Sequence, residues 1–270
     1  MEGRPSRPGQ PPHPTAGSAG GRSRWTNDGM IEAMKVLTLN AWGAYGPPER
    51  RPVLREAILR VDADLLLLQE ANVPGLLESL PYPARLHSPE TGLAILSRFP
   101  LLSRREVRYR TLSALEPHLI RGALIAEMDA GSFRFQAVTT HLAWKGDDGV
   151  TRLAQVEELL ELTTALADPV LIGGDFNAPP GDPPARKMFS GGFTDLYARL
   201  SPGDAGITWD NRNPFIQSHS VQFPDRRIDY LFLRDRASKL TPTHCEVVCR
   251  IPTGSLHPSD HYGVLARFQL

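Results

Sequence analysis

Short hydrophobic runs, each bounded by polar or turn-forming residues, recur from residue 35 to the end of the chain. Apolar runs of this length, about four to eight residues, are typical of buried β-strands. The pattern therefore predicts at least eight strands, at residues 35–40, 64–69, 92–97, 119–128, 133–141, 169–175, 228–233 and 263–268.

Helical spacing of apolar positions appears in two stretches, 53–61 and 151–167. In the second stretch the apolar side chains share one helix face and the glutamates lie elsewhere, as expected for an amphipathic helix. The proline-rich stretch 179–189 and the stretch 201–227 are predicted to be loops. Strands mixed with helices, without an internal linker or repeat, predict one domain of the α/β class.

The first 33 residues differ from the rest in composition, because they are rich in Pro, Gly, Ser and Arg. Such a segment does not bury enough apolar surface to offset the entropy of ordering it. We therefore predict a disordered tail at residues 1–33 and a single folded domain at residues 34–270.

Composition adds limits on function. Hydrophobic residues make up 41% of the 270 residues and charged residues 22%, which indicates a globular protein. Lys plus Arg and Asp plus Glu both number 30, and this balance disfavours a protein whose main task is non-specific binding to a phosphate backbone.

The chain also lacks several sequence features that would assign it to other classes. Two cysteines are too few for a disulfide scaffold or a zinc motif. The sequence has no run of 18 apolar residues and no apolar N-terminal signal segment. We predict a cytoplasmic monomer with no transmembrane segment.

Polar side chains stand at the ends of several predicted strands, where loops begin. Strand ends and adjoining loops are where ligands and catalytic groups gather in packed sheets, so these side chains are expected to converge on one rim. The set comprises Asn40, Glu70, His141, Asp175, Asn177, Asp260 and His261.

These residue types suit phosphoester hydrolysis. The hard oxygen donors Asn40, Glu70 and Asp260 fit Mg²⁺, with Mn²⁺ as a second possibility. Asp175 is placed to polarise an attacking water, Asn177 to donate a hydrogen bond to phosphate, and the two histidines to stabilise developing charge. No step requires a covalent nucleophile.

Other catalytic motifs are absent from the sequence, including G-x-S-x-G, the P-loop, the dinucleotide-binding G-x-G-x-x-G and H-E-x-x-H. A hydrolase triad of Ser259, His261 and Asp229 can be written down. It is disfavoured because Ser259 lies only two positions from His261 and has no elbow motif around it.

The order of the motifs resembles the endonuclease/exonuclease/phosphatase superfamily of Mg²⁺-dependent phosphoesterases. The matching segments together run from residue 36 to residue 268. They are LTLNAWG, LLLLQEAN, GLAILSRFP, TTHLAW, LIGGDFNAPP, RRIDYLFL and SDHYGVLA.

The resemblance implies a fold and a metal site. The expected fold is a DNase I-like, four-layered α/β sandwich, in which two packed and mostly antiparallel sheets are flanked by helices. The site is expected at one rim of the paired sheets. By the same resemblance Asn40 and Glu70 lie at the metal, with Asp260 close to it.

The resemblance also assigns catalytic roles. It implies Asp175 as the water-activating carboxylate, Asn177 as a phosphate ligand and His261 as the histidine at the scissile phosphate. Asp229 corresponds to the carboxylate that orients this histidine, and His141 to a second catalytic histidine. Whether Asp175 or His261 removes the proton from water stays open at this point.

The TTHL motif resembles the branches with a second catalytic histidine, such as the sphingomyelinase, inositol phosphatase and DNase I-like groups. The segment TWDNRNP at residues 208–214 resembles sphingomyelinase-related bacterial proteins and hydrolase domains linked to lipid-anchor remodelling. The first of these resemblances disfavours an abasic-site endonuclease. Within the segment, Trp209 and Asn213 are candidates either for lining the substrate pocket or for anchoring a buried loop.

We therefore expect a phosphodiesterase that acts on a lipid or small-molecule diester. A DNase I-like nuclease is the first alternative, and it would use arginines such as Arg104, Arg105, Arg108 and Arg110 to hold a strand unless these only form a solvated face. A non-catalytic binding protein is the second alternative.

A few further polar residues have weaker support from the motifs. Glu90, Thr91 and Arg121 are expected near the rim, where they contact substrate or His141 or serve only structural roles. The histidines outside the motifs are predicted to be ordinary, and they are His87, His118, His219, His244 and His257.

Overall fold

The computed structural model describes residues 33–270, so the predicted disordered tail, apart from its last residue, lies outside the described residues. Residues 33–270 form twelve strands and five helices. The strands are β1 (Ala33–Asn40), β2 (Leu65–Gln69), β3 (Ala84–Ser88), β4 (Leu93–Ser97), β5 (Leu101–Arg108), β6 (Gly122–Asp129), β7 (Arg134–His141), β8 (Val170–Asp175), β9 (Thr194–Asp195), β10 (Asp229–Arg234), β11 (Thr241–Val248) and β12 (Gly263–Gln269). The helices are α1 (Arg50–Val61), α2 (Leu76–Ser79), α3 (Gly149–Thr164), α4 (Pro183–Ser190) and α5 (Leu196–Leu200). No helix within these residues is long and apolar enough to cross a membrane.

The strands form two sheets of six. The first has the order β11-β12-β1-β2-β4-β3 and the second has the order β5-β6-β7-β8-β10-β9. In each described sheet one central pair is parallel, β1 with β2 and β7 with β8, and the remaining pairs are antiparallel. The parallel pairs place the carboxyl ends of two adjacent strands at the same edge of each sheet.

Both faces of the central strands are buried, which explains their continuous hydrophobic sequences. Val36 and Leu67 of the first sheet pack in one cluster with Leu171 of the second sheet. The opposite face of the first sheet packs on α1 and α2, and that of the second sheet packs on α3 and α4. The arrangement is the expected DNase I-like, four-layered sandwich, and the fold prediction is confirmed.

A close contact joins the two sheets near the strand ends. A Cβ atom built on Gly173 would lie 2.7 Å from Cδ1 of Leu67, so a larger residue does not fit there. Nearby, the Gln69 amide nitrogen donates to Oγ1 of Thr139 at 2.9 Å, across the sheet interface. Buried hydrogen bonds of this kind fix the relative position of the sheets where the polar strand ends emerge.

The eight predicted strands are all present, but the loop predicted at residues 179–189 is wrong because it contains α4. Prolines occupy the first turn of this helix, where a missing N–H and a φ near −65° are tolerated. Beyond α5 the stretch 201–227 is largely irregular, as predicted, with one short 3₁₀ turn at Ile216–Ser218.

Candidate active site

A cleft of about 770 Å³ opens at the edge where the carboxyl ends of β1, β2, β7 and β8 meet the amino ends of β10 and β12. The structure brings the predicted site residues together there. Glu70, His141, Asp175, Asn177, Asp260 and His261 line the cleft, and Asn40 and Asp229 are buried at its base.

The register of the second sheet fixes three of these side chains. His141 at the end of β7 is the direct partner of Asp175 at the end of β8, and Asp175 is the direct partner of Asp229 at the start of β10. Directly opposed residues point to the same face of a sheet. Strand pairing therefore places the side chains of His141, Asp175 and Asp229 side by side on one face of the sheet.

Asn40 connects the two sheets within the site. Its amide nitrogen donates to Oε1 of Glu70 at 3.1 Å and to Oδ2 of Asp175 at 3.0 Å, while its amide oxygen accepts from the backbone N–H of Trp42 at 2.9 Å. Asn40 therefore presents N–H groups to the carboxylates. In this arrangement it orients Glu70 and does not offer a free oxygen to a metal.

Two site residues adopt left-handed backbone conformations that non-glycine residues rarely occupy. The φ angle is 47° at Glu70 and 49° at Asn177. Such conformations cost free energy and persist where the surrounding structure holds them, often at functional sites. Glu70 follows β2 directly and Asn177 lies two residues beyond the end of β8, so the sharp turns there direct both side chains into the cleft.

Asp175 lies between two imidazoles. Its Oδ2 atom is 3.3 Å from Nε2 of His141 and 3.7 Å from Nε2 of His261. Burial alone would raise the pKa of Asp175, but the charges of His261 and His141 and the hydrogen bonds from His141 and Asn40 lower it below its ordinary value. Asp175 is therefore ionised throughout the neutral range.

His261 is held from behind by Asp229, whose Oδ2 atom lies 2.9 Å from Nδ1 of the ring. Burial alone would lower the pKa of His261, but the nearby carboxylates of Asp229, Asp175 and Asp260 raise it well above its ordinary value. Burial raises the pKa of Asp229, against the effect of the imidazole. The ring therefore carries a proton at neutral pH, with Nε2 directed toward Asp175.

Asn177 and Ser259 support this centre. The backbone N–H of Asn177 donates to Oδ1 of Asp175 at 2.9 Å, and its amide donates to the Leu142 carbonyl at 3.2 Å. The Ser259 hydroxyl donates to the Asn40 carbonyl at 2.8 Å. Because this hydroxyl is committed to a backbone carbonyl, Ser259 is a structural residue, in agreement with the rejection of a serine triad.

The prediction that His219 is an ordinary histidine is wrong. His219 lines the cleft, and its Nε2 atom lies 2.9 Å from Oδ2 of Asp260. It packs edge-on against Trp209, with ring centroids 5.0 Å apart. No sequence pattern indicates this contact, because His219 belongs to an irregular loop distant from any strand end.

The donor set fits a divalent cation. Glu70 and Asp260 supply carboxylate oxygens in the cleft, the ligand type that Mg²⁺ prefers. At Gly43 an added Cβ would lie 3.7 Å from Oε2 of Glu70, so the glycine leaves space beside that oxygen. These two carboxylates are the groups that would hold the ion.

A different group of metal-ligand types is closer together. Within residues 33–270, Asp175, Asp229 and His261 place ligand atoms within 4.8 Å of one another. Because Nδ1 of His261 is already paired with Asp229, we interpret this group as a hydrogen-bonded pair with a neighbouring carboxylate and not as a metal site.

The remaining candidates near the rim are largely neutralised. Arg121 forms a buried ion pair with Glu116 at 3.1 Å, and Glu90 pairs with Arg108. Two of the four arginines considered for holding a nucleic-acid strand are engaged in ion pairs, Arg108 with Glu90 and Arg110 with Glu161 at 2.6 Å. The other two, Arg104 and Arg105, are exposed on β5.

The segment 208–214 contributes both a cleft residue and an anchor. Trp209 lines the cleft and stacks edge-on against His261 at 5.1 Å. Asn213 is buried, and its amide donates to the carbonyls of Ser259 at 2.8 Å and of Asp260 at 3.3 Å. Asn213 therefore fixes the segment that carries Asp260 and His261.

The sequence and the fold are similar to those of known proteins. A model of the Endonuclease/Exonuclease/phosphatase family matches residues 37–261. A structure of D. rerio TDP2 complexed with single-strand DNA product has a TM-score of 0.74 and 20% identity, covering 88% of this chain and 99% of that chain.

Two further solved structures have the same fold. The human Nocturnin catalytic domain with bound sulfate has a TM-score of 0.68 and 21% identity, covering 88% of this chain and 94% of that chain. An endonuclease/exonuclease/phosphatase family protein from Bacteroides thetaiotaomicron has a TM-score of 0.67 and 18% identity, covering 87% and 94%. No curated protein matches the sequence.

Proposed function

The chain belongs to the endonuclease/exonuclease/phosphatase family of metal-dependent phosphoester hydrolases, and on this premise we propose that it is a Mg²⁺-dependent phosphodiesterase that cleaves nucleic acid. The observation that carries the proposal is the row of His141, Asp175 and His261, with Asp229 behind His261. This row provides an ionised base and a protonated imidazole within 3.7 Å of each other.

The row supports direct attack by water. Asp175 is ionised and accepts hydrogen bonds, so it orients the water and takes its proton. His261 is protonated, so it donates from Nε2 to a phosphoryl oxygen that gains charge. Because His261 already carries a proton at neutral pH, Asp175 is the better proton acceptor of the two.

The other polar residues complete the reaction site. A divalent cation held by Glu70 and Asp260 would supply positive charge to neutralise a phosphoryl oxygen. His141 faces Asp175 and is available to the same phosphate, and the amide of Asn177 is held at the cleft by the Leu142 carbonyl.

The cleft walls support a nucleic-acid substrate. Tyr45, which is 66% exposed, and the partly exposed Trp144 line the cleft, and the buried side chains of Trp42 and Trp209 form part of its wall. Aromatic side chains stack on nucleobases without regard to sequence, which suits a chain whose net charge is zero. D. rerio TDP2, which has the same fold, binds a single-strand DNA product.

The sequence-based preference for a lipid or small-molecule diester, and the sphingomyelinase-like subtype, receive no support from the comparisons. A lipid diester is nevertheless the second candidate, because one loop exposes apolar side chains beside the cleft. Leu112, Leu115 and Leu119, between β5 and β6, are 65%, 47% and 41% exposed, and Leu119 lines the cleft.

Hydrolysis of a substrate panel by the purified full-length chain, with Mg²⁺ or with EDTA, tests the proposal. The panel contains single-stranded DNA, duplex DNA and RNA oligonucleotides, bis-p-nitrophenyl phosphate, and vesicles of sphingomyelin or phosphatidylinositol. We expect Mg²⁺-dependent cleavage of oligonucleotides. Cleavage confined to the vesicles would establish the lipid candidate instead, and no cleavage of any diester would refute the proposed activity.

Variants of the catalytic row make the test specific. Asp175→Asn and His261→Gln should each lower kcat/KM by at least ~10²-fold, the usual contribution of a general acid or base. His244→Gln is the matched control, because His244 is 52% exposed on β11, where its ion pair is with Glu246. Equal activity of the His261→Gln and His244→Gln variants would contradict the assignment.

A further inference from the structure

Arg226 is carried into the cleft by its pairing with Trp209. The backbone N–H of Arg226 donates to the Trp209 carbonyl at 3.0 Å, and the Trp209 N–H donates back at 2.9 Å. The guanidinium lies 3.7 Å from the ring centroid of Phe223 and 5.9 Å from that of Trp209. Two aromatic rings and a backbone bridge therefore fix its position on the cleft wall.

This guanidinium is not neutralised by the protein. Within residues 33–270 no carboxylate forms an ion pair with it, and its Nε atom is buried without a hydrogen-bond partner. The adjacent Arg227 is different, since it pairs with Asp195 at 2.8 Å. Arg121, which also lines the cleft, is paired with Glu116. Arg226 thus contributes an uncompensated positive charge to the cleft.

A half-buried cation without an acceptor is costly, because it has lost water without gaining a partner. Burial lowers the pKa of Arg226, while the carboxylate of Asp175 opposes that shift. An anionic group bound in the cleft would supply the missing acceptor. Guanidinium groups suit phosphate particularly well, because their N–H donors match two of its oxygens.

Trp209 places Arg226 next to the catalytic residues. The Trp209 ring packs edge-on against His261, with ring centroids 5.1 Å apart, and the backbone of Trp209 is bridged to that of Arg226. The charged groups that act on Arg226 include Asp175, Arg152 of α3 and Asp182 before α4. An anionic group bound at Arg226 would therefore adjoin a phosphate held at His261.

We propose that Arg226, backed by Phe223 and Trp209, binds a second anionic group of the substrate, the phosphate next to the scissile one on a nucleic-acid strand. The proposal rests on the nucleic-acid phosphodiesterase function proposed above and names a specificity determinant for it. The scissile phosphate occupies the row of His141, Asp175 and His261. The neighbouring phosphate reaches Arg226.

Hydrolysis of three dinucleotides tests the proposal. They are dithymidine with a single internal phosphate, the same molecule with a 5′-phosphate, and the same molecule with a 3′-phosphate. The wild-type protein should cleave one phosphorylated form about 10–100-fold faster in kcat/KM than the unphosphorylated form, the range for one charged hydrogen-bonding contact. The form that gains the advantage shows on which side of the scissile bond Arg226 lies.

Substitutions then assign the advantage to Arg226. Arg226→Gln should reduce the ratio of the two rates to about one, and Arg226→Lys should keep part of it. Arg134→Gln is the matched control, because Arg134 is 67% exposed at the start of β7, at the opposite end of the strand from His141. A thermal unfolding midpoint equal to that of the wild type shows that the Arg226 variants are folded.

Binding gives a readout that does not depend on turnover. With EDTA present, the affinity for an oligothymidine should fall with salt, and Arg226→Gln should reduce the slope of log K against log salt by about 0.7, the value for one phosphate contact on a single strand. An unchanged slope would contradict a phosphate contact at Arg226.

The outcomes separate the two proposals. Equal wild-type rates on all three dinucleotides, or an Arg226→Gln variant that keeps the full ratio, would overturn the role of Arg226 and leave the phosphodiesterase function intact. No cleavage of any dinucleotide or oligonucleotide, while bis-p-nitrophenyl phosphate is hydrolysed, would refute the nucleic-acid function and the Arg226 proposal with it.

Discussion

Replacing Arg50 should test how strongly the fold depends on one buried cation beneath the site. Arg50 is completely buried at the start of α1, and its guanidinium donates to five backbone carbonyls. Those of Ala41, Trp42, Gly43 and Tyr45 belong to the loop after β1, and that of Pro258 belongs to the segment before Asp260 and His261. Arg50 therefore joins the loop that follows Asn40 to the segment that carries Asp260 and His261.

The magnitude follows from the number of acceptors left without a donor. In an Arg50→Met variant all five carbonyls lose the guanidinium. The Trp42 carbonyl still accepts from the backbone N–H of Tyr45, so four carbonyls are left without the donor that Arg50 supplied. At about 1 kcal/mol for each buried acceptor, the low end of the usual range, the free energy of unfolding falls by about 4 kcal/mol. Arg50→Lys retains three N–H donors, so about half of that loss is expected.

Urea unfolding of the two variants measures these differences, with Arg51→Met as the matched control from the same helix. A loss below about 1 kcal/mol in Arg50→Met would refute the assignment of the buried carbonyls to Arg50. Equal losses in the Met and Lys variants would show that the number of N–H donors does not determine the stability. The lysine variant, if folded, should also show reduced kcat/KM because the two segments are less firmly joined.

The remaining predictions concern the site and the sheet interface. In Asp229→Asn, His261 loses the carboxylate that raises its pKa, so the ring deprotonates at lower pH and the alkaline limb of the pH profile of kcat/KM should move to lower pH. At pH 8 the variant should have a kcat/KM at least ~10-fold below that of the wild type. The loss in free energy of unfolding should be largest below about pH 6.5, where the histidine of the unfolded chain is protonated. An alkaline limb that does not move would contradict the pairing. Glu70→Gln should weaken Mg²⁺ binding measured by calorimetry without substrate, and an unchanged titration would remove Glu70 from the ligand set. Gly173→Val should lower the free energy of unfolding by about 3 kcal/mol, because the valine side chain would collide with the facing sheet. An unchanged free energy of unfolding in urea denaturation would show that the two sheets move apart easily to accept it.

The sequence was informative for strands buried on both faces and less so for edges. The run at β2 is entirely buried, and it reads as an uninterrupted hydrophobic segment. Among the edge strands, β3 alternates between exposed and partly buried residues, β5 is mostly exposed and β11 is partly exposed. None of the three therefore shows an uninterrupted hydrophobic run. The helix α4 was missed because its prolines suggest a loop unless they are recognised as first-turn residues.

The site divides in the same way. Polar residues that end buried strands, such as Glu70 and Asp175, could be identified because their place in the sheet follows from the hydrophobic pattern. His219 and Arg226 could not, because both lie in the loop between α5 and β10. The orientation of the His219 and Arg226 side chains depends on the backbone bridge between Trp209 and Arg226. This contact spans a long irregular segment, and no periodic pattern in the sequence predicts it.

The catalytic geometry is a consequence of sheet register and sheet spacing together. Register alone places His141, Asp175 and Asp229 side by side, since each is the direct strand partner of the next, and it thereby fixes two members of the catalytic row and the carboxylate behind the third. The distance from this row to Glu70 depends instead on how closely the two sheets pack, because the bridging amide of Asn40 belongs to the first sheet and bonds to Asp175 of the second. A change in the core between the sheets should therefore lower kcat without altering any group that touches the substrate, whereas a change within the row should act through the protonation of its members.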